Sequence, residues 1–213
     1  MAIPVILMGR SGTGKSTSLR TMPEDSFALI NVIGKPLPFR NGIKSFVSTD
    51  YGKIKAALSN AKSKSIVIDD AGYLITDMFM TRHSSAGSGN GVYSLYNDIG
   101  DSFYSLIRFI SMELPQDMIV YIVMHEDADD MGRSKIKTIG KLLDEKVTVE
   151  GMVSVVIRSD NADGEYTFQT NGEGIVKSPE GMFESERMPN DLKAVDDAIR
   201  DYWNLAPLGG DEE

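Results

Sequence analysis

The chain has 213 residues, 41% hydrophobic and 25% charged, which suits one medium-sized soluble domain able to bury a real core. With no cysteine and only two histidines, His83 and His125, disulfides, thiolate zinc sites and His-rich metal clusters are excluded, and a reducing cytoplasm is the expected location. The formal net charge of -9 means that a polyanionic partner has to find a local basic patch. No apolar run reaches the length of about 18 residues needed to span a membrane. The stretch Ala2 to Met8 lacks a basic leader and is too short for a signal peptide, so no membrane partner is expected.

In chain order, Ile3 to Met8 is a short apolar run before glycine and predicts a buried strand. A helix is expected from Gly14 to about Met22, where Pro23 stops it. Ser26 to Val32 predicts a second strand, and Lys53 to Ala61 a helix with Ile54, Ala57, Leu58 and Ala61 on one face. Ser65 to Ile68 reads as a buried strand ending in Asp69-Asp70, and Leu74, Ile75, Met78 and Phe79 place a helix directly after it. His83 to Gly91 is rich in glycine and serine and predicts a mobile loop. A long helix follows from Tyr96 to Glu113, with Ile99, Phe103, Leu106, Ile107 and Ile110 along one side. Met118 to Met124 is a strand, and His125 to Val149 is charged and irregular. Met152 to Ile157 is a further strand. Asp163-Gly164 and Asn171-Gly172 are hairpin signals around a strand Glu165 to Thr170. A last helix runs from Asp191 to Asn204. Strands alternating with helices predict an α/β fold: a mostly parallel sheet with helices on both faces, finished by antiparallel hairpin strands. Residues 1–205 are read as a single domain and 206–213 as an acidic disordered tail.

Gly9-Arg10-Ser11-Gly12-Thr13-Gly14-Lys15-Ser16, followed by Thr17, fits G-x-x-x-x-G-K-[ST] between a strand and a helix. Glycines let such a backbone curl so that N–H groups point at phosphate oxygens. Lys15 is placed to reach the β- and γ-phosphates of ATP, and Ser16 to ligate magnesium. Ser65 to Ile68 ends in Asp69, the carboxylate expected to hold the magnesium or its water shell. Asp70 either caps the next helix or orients the attacking water.

Other residues extend the candidate site. His125 ends the strand Met118–Met124 and is placed to sense the γ-phosphate. Lys177, after the last hairpin strand, is a candidate for stabilising transition-state charge, in its own subunit or a neighbour's. Arg82 and His83 open the glycine-serine loop. Arg133, Lys135, Lys137 and Lys141 put four cations within nine residues, which suits a phosphate backbone, although Glu126, Asp127, Asp129 and Asp130 lie just upstream. Tyr93 is a candidate for base stacking, whereas Phe103 falls on the apolar stripe.

Taken together, Met8 to Thr17 (MGRSGTGKST), Ile66 to Asp70 (IVIDD), His125 to Asp130 (HEDADD), Gly140 to Asp144 (GKLLD), Val176 to Gly181 (VKSPEG) and Asn190 to Ile199 (NDLKAVDDAI) resemble the RecA-type P-loop ATPases. They are most similar to the RecA-like phage ATPases of the Sak single-strand-annealing group. The resemblance implies a Mg²⁺-dependent ATPase that binds single-stranded DNA in phage recombination within the host cytoplasm and assembles with itself as a ring or filament. A single-strand-binding protein or nuclease would be a possible partner. It implies DNA contact through loops at 83–92 and 126–146. One departure stands out: RecA-type enzymes place a catalytic glutamate after an early core strand, whereas Ser26 to Val32 ends without an acid. Asp70 and Glu126 are then the candidates for the base. Two other classes fit the motif: a P-loop small-molecule kinase, and an ATP-switched regulatory module that does not bind DNA.

Overall fold

The computed structural model describes residues 1–140, 142–172 and 174–208. The expected tail at 206–213 lies largely outside them, as does Lys141.

Strand β1 (Ile3–Gly9) is buried along nearly its whole length. It lies between β5 (Ile119–Ala128) and β7 (Val155–Ala162), parallel to both. Beyond β5 come β4 (Ser65–Asp69), β2 (Phe27–Asn31) and the short β3 (Ser45–Phe46), all parallel. On the other side β8 (Glu165–Gln169) and β9 (Arg187–Pro189) are antiparallel, and β6 (Ser134–Ile136) forms a hairpin with the far end of β5. The result is a nine-stranded sheet in the order β3-β2-β4-β5-β1-β7-β8-β9, with β6 on β5.

Alternation along each strand divides the core between two faces. Ile6 and Met8 of β1, with Val120, Ile122 and Met124 of β5, meet helices α1 (Tyr51–Ser59), α2 (Gly72–Arg82) and α3 (Asn90–Glu113). Val5 and Leu7, with Ile119, Tyr121 and Val123, meet Leu19 and the face Leu192, Val195, Ile199 of α4 (Leu192–Tyr202). Helices therefore cover both faces, as the β-α alternation predicts. Asp50, the first carboxylate after the second strand region, caps α1 by accepting from the Lys53 N–H at 2.8 Å. Asp191 caps α4 in the same way through Ala194. Among the described residues no helix is long and apolar enough to cross a membrane.

Several expectations are corrected. The segment after the glycine loop is a 3-10 helix, Ser16–Thr21, instead of an α-helix from Gly14 to Met22. Ser18 and Thr21 spend their hydroxyls on the carbonyls of Lys15 and Ser18, and Pro23 leaves too few residues for an α-helix to propagate. Helix α3 begins at Asn90, six residues before the predicted start, because burial of Leu95 compensates for weak helix formers around it. The segment 125–149 is not irregular: β5 continues to Ala128, β6 pairs with it, and a π-helical turn Leu142–Val147 packs on α3. A Cβ on Gly100 would lie 2.4 Å from Leu142 Cδ2, so a side chain there would force Leu142 to move. Asp163-Gly164 does form the β7–β8 turn, both residues having positive φ. Asn171-Gly172 is not a hairpin turn: the chain first bridges Val156 at Lys177 and returns only later as β9.

Candidate functional site

Parallel strands in register bring their carboxyl ends into one row. Asn31 is opposite Asp69, and Gly9 is opposite His125. The residue after β4, Asp70, turns with φ 58°, a left-handed conformation that asparagine and aspartate tolerate better than most residues. A cleft of about 310 Å³ opens at this edge, lined by Lys15, Ser16, Lys35, Asp70, His125 and Tyr166 together with the glycine loop.

The loop from Gly9 to Ser16 is built around Lys15. The Lys15 side chain turns back inside it, and Nζ donates to the carbonyls of Gly9 and Arg10, both at 2.8 Å. Burial pulls the Lys15 pKa down to about 8 against the opposing pull of Asp70 and Asp69. Gly12 and Gly14 have φ of 80° and 96°, conformations that cost a residue bearing Cβ. At Gly9 a Cβ would stand 2.6 Å from the Ser159 carbonyl oxygen and from Thr13 Oγ1, so that position has no room for one. Ser11 and Thr17 line the cleft wall.

Behind the lysine are two carboxylates of different character. Asp69 is fully buried, and Ser16 Oγ donates to its Oδ1 at 2.9 Å. Its Oδ2 is buried without a hydrogen-bond partner. Burial and the neighbouring Asp70 charge push the Asp69 pKa up, partly offset by Ser16. In Asp70, burial also pulls upward, but His125 and Lys35 outweigh it and hold its pKa below the usual carboxylate range. Asp70 Oδ1 lies 3.4 Å from His125 Nε2, and Oδ2 is ion-paired with Lys35 Nζ. Asp70 does not cap α2: the N-cap position is Ala71, and no side chain bonds there. The ring of His125 meets Tyr73 edge-on and separates the cleft from a second cavity of about 250 Å³ beside Lys137 and Ile139.

Four residues of this site escaped the sequence reading. Lys35 arrives because Asn31 folds the chain after β2: Nδ2 donates to the Lys35 carbonyl at 2.7 Å, and Oδ1 accepts from the Gly34 N–H at 2.9 Å. Ser159 donates to the Thr13 carbonyl and Asn190 donates to Ser159, so β7 and the residue after β9 buttress the loop from outside. Tyr166 packs so close to Gly14 that a Cβ there would lie 2.7 Å from its ring. The Asn-x-x-Gly turn before Lys35 left a trace in the sequence, and Asn190 opens one of the quoted motifs without having been assigned to the site.

Other expected residues are placed elsewhere. Lys177 pairs with Val156, which stands beside Ile6. That is three residues, about 10 Å, back along the sheet from Gly9, and Lys177 does not line the cleft of its own chain. Glu126 is committed as an acceptor to Arg158 (2.9 and 3.0 Å) and Ser134 (2.6 Å), with a side chain 2% exposed. It ties β5 to β7 where β1 departs into the loop, a structural position that argues against a free base. The cations of the two loops are largely engaged. Arg82 faces Asp98 at 3.7 Å, and His83 Nδ1 lies against the carbonyls of Phe79 and Met80 with its ring stacked on Phe79. Arg133 pairs with Asp129 at 2.7 Å. Lys135 stands opposite Asp127 in the β5–β6 ladder, whereas Lys137 is held, among the described residues, through its backbone, whose N–H donates to the His125 carbonyl at 2.8 Å, and not through its ammonium group. Lys137 adjoins the first turn of α2 and Arg82 its last, so the two groups are about 15 Å apart along that axis. Phe103 is core, and Tyr93 is exposed on α3.

No protein-family model matches this chain, and no curated protein matches it at a significant level.

Proposed function

We propose that this chain is a P-loop ATPase of RecA-like architecture, binding ATP with Mg²⁺ at residues 9–17. The observation that carries the reading is the bond from Ser16 to Asp69, 53 residues away, beside a buried carboxylate oxygen that has no partner. A buried, unsatisfied carboxylate oxygen costs free energy unless a ligand completes it. Ser16 and Asp69 would hold the magnesium, which supplies neutralisation of charge on the β- and γ-phosphates. Among the described residues no three acidic or histidine side chains converge on a metal position. That is compatible with magnesium, which is usually held by one or two carboxylates together with substrate phosphate and water. Lys15 exchanges its two carbonyl partners for phosphate oxygens, Asp70 positions the attacking water, and His125 reports an occupied cleft to β5 and its hairpin.

Coupling to single-stranded DNA, as the resemblance suggests, would be carried by the β5–β6 hairpin, which continues the strand bearing His125, with a ring or filament of copies as the acting form. The pairing of Arg82 and Arg133 with carboxylates favours a second reading, an ATP-switched regulatory module without DNA. ATP turnover at low salt, with and without single-stranded DNA, separates these. Stimulation that disappears in Lys15→Ala supports the recombination ATPase. Turnover indifferent to DNA supports the switch, and absence of nucleotide binding defeats both.

A further inference from the structure

Lys35 has no assigned role in the glycine-loop motif, yet the fold delivers it to the same cleft as Lys15. The delivery is specific. Asn31 braces the turn with both ends of its side chain, Gly34 adopts φ 67°, and Pro36 and Pro38 line the cleft just beyond. The ammonium group of Lys35 contacts Asp70 Oδ2, whose other oxygen faces His125. The stem is only half buried, with 44% of the side chain exposed, so its head is free to change rotamer while Asp70 stays fixed by its backbone.

We propose that Lys35 is a second phosphate-contacting cation, held on Asp70 when the cleft is empty and transferred to the terminal phosphate of a bound triphosphate. The inference rests on the triphosphate reading of residues 9–17 and adds the group that distinguishes a triphosphate from a diphosphate. Among the groups of the cleft two lysines face two aspartates, and the charges balance. A magnesium triphosphate adds net negative charge that Lys15 alone, enclosed by the loop, is poorly placed to meet at the cleft mouth. Lys35 is the other ammonium group lining the cleft among the described residues. Its departure leaves Asp70 with His125 as remaining partner, so occupation of the terminal phosphate position is registered at β5. The end of β2, where an acid was sought in the sequence, thus serves a cation. Asn31 shapes the turn, and Lys35 takes the position facing Asp70.

Calorimetric titration with a non-hydrolysable ATP analogue and with ADP, both with Mg²⁺, tests this on wild type, Lys35→Met, Lys35→Arg and Lys15→Ala. Loss of one charge-assisted bond predicts a triphosphate Kd weakened about tenfold or more in Lys35→Met, an ADP Kd within about twofold of wild type, and substantial retention in Lys35→Arg. Equal weakening for both nucleotides, or no weakening for either, overturns the assignment while leaving the phosphate loop intact. Wild type that binds neither nucleotide removes the underlying triphosphate reading along with it. Amine-reactive labelling of the wild-type protein, read by mass spectrometry, gives a measurement independent of any variant. Lys35 is expected to be shielded by the triphosphate analogue and not by ADP, and identical labelling in the two complexes overturns the proposal.

Discussion

The two ends of β4 both bury charge, and they do so in opposite ways. At its start, Ser65 joins a closed network with Tyr121, Asp196 and Arg200. Asp196 accepts from Ser65 at 2.6 Å, Tyr121 at 2.9 Å and Arg200 at 2.6 Å, and the rest of the guanidinium reaches Ser65 Oγ and the carbonyls of Asp117 and Ala206. At its end, four residues and about 13 Å away, Asp69 keeps an oxygen without a partner, and Lys15 bonds only to carbonyls. A buried charge with all its valences met fastens α4 to the sheet. A buried charge with valences left over is where the proposed magnesium nucleotide would bind. Chemical type does not distinguish the two ends, since each combines carboxylate, hydroxyl and cation; completeness does.

The comparison can be broken first at the closed end. Asp196→Ala leaves Arg200 buried without its counter-ion and is expected to cost about 3–5 kcal/mol, seen as a lowered midpoint in urea, with nucleotide affinity unchanged in the folded fraction. At the open end the sign reverses. Lys15→Met is expected to weaken ATP binding about a hundredfold or more without lowering the stability of the nucleotide-free protein. The native Lys15 pKa near 8 lies below its ordinary 10.5, so between those values the unfolded chain binds the extra proton and native stability rises with pH. The stability advantage of Lys15→Met is therefore full at pH 7, up to about 3 kcal/mol, and shrinks as pH passes from 8 to 10 in denaturation curves. Asp69→Asn removes a buried charge whose pKa is raised. It is expected to raise the thermal midpoint modestly, by about 1 kcal/mol equivalent, while abolishing the magnesium dependence of nucleotide binding. Least of all, Arg133→Ala on the exposed hairpin leaves the melting temperature unchanged, and its effect, if the DNA reading holds, is confined to DNA affinity and its salt slope.

What the sequence disclosed followed from locality. Strands β1, β4 and β5 announce themselves as apolar runs, and Lys15, Ser16 and Asp69 belong to short patterns whose meaning is contained within a few residues. The supporting residues are non-local. Ser159 reaches the loop only because β7 pairs with β1 in a register that sets Arg158 beside Met8, and Lys35 reaches Asp70 only because β2 pairs with β4. Neither register is written near those residues. The early start of α3 was hidden by glycine and asparagine, whose weak helix propensity is overruled by burial of Leu95. Charge counting weighed the 133–141 cations against the acids just upstream without assigning pairs; the structure gives Arg133 to Asp129 within the β5–β6 turn and sets Lys135 opposite Asp127 across the ladder.

The six-residue 3-10 turn after the glycine loop has a last consequence. A short, tight helix aligns few peptide dipoles, so if the loop takes phosphate as proposed, its affinity would reside mainly in side-chain ammonium groups. On that reading the cleft would behave like a small ion exchanger with one anchored site, Lys15, and one movable site, Lys35. Simple salts would compete for it, and its capacity would fall as alkali strips the proton from Lys15, so ionic strength and pH would act on nucleotide retention through the same atoms.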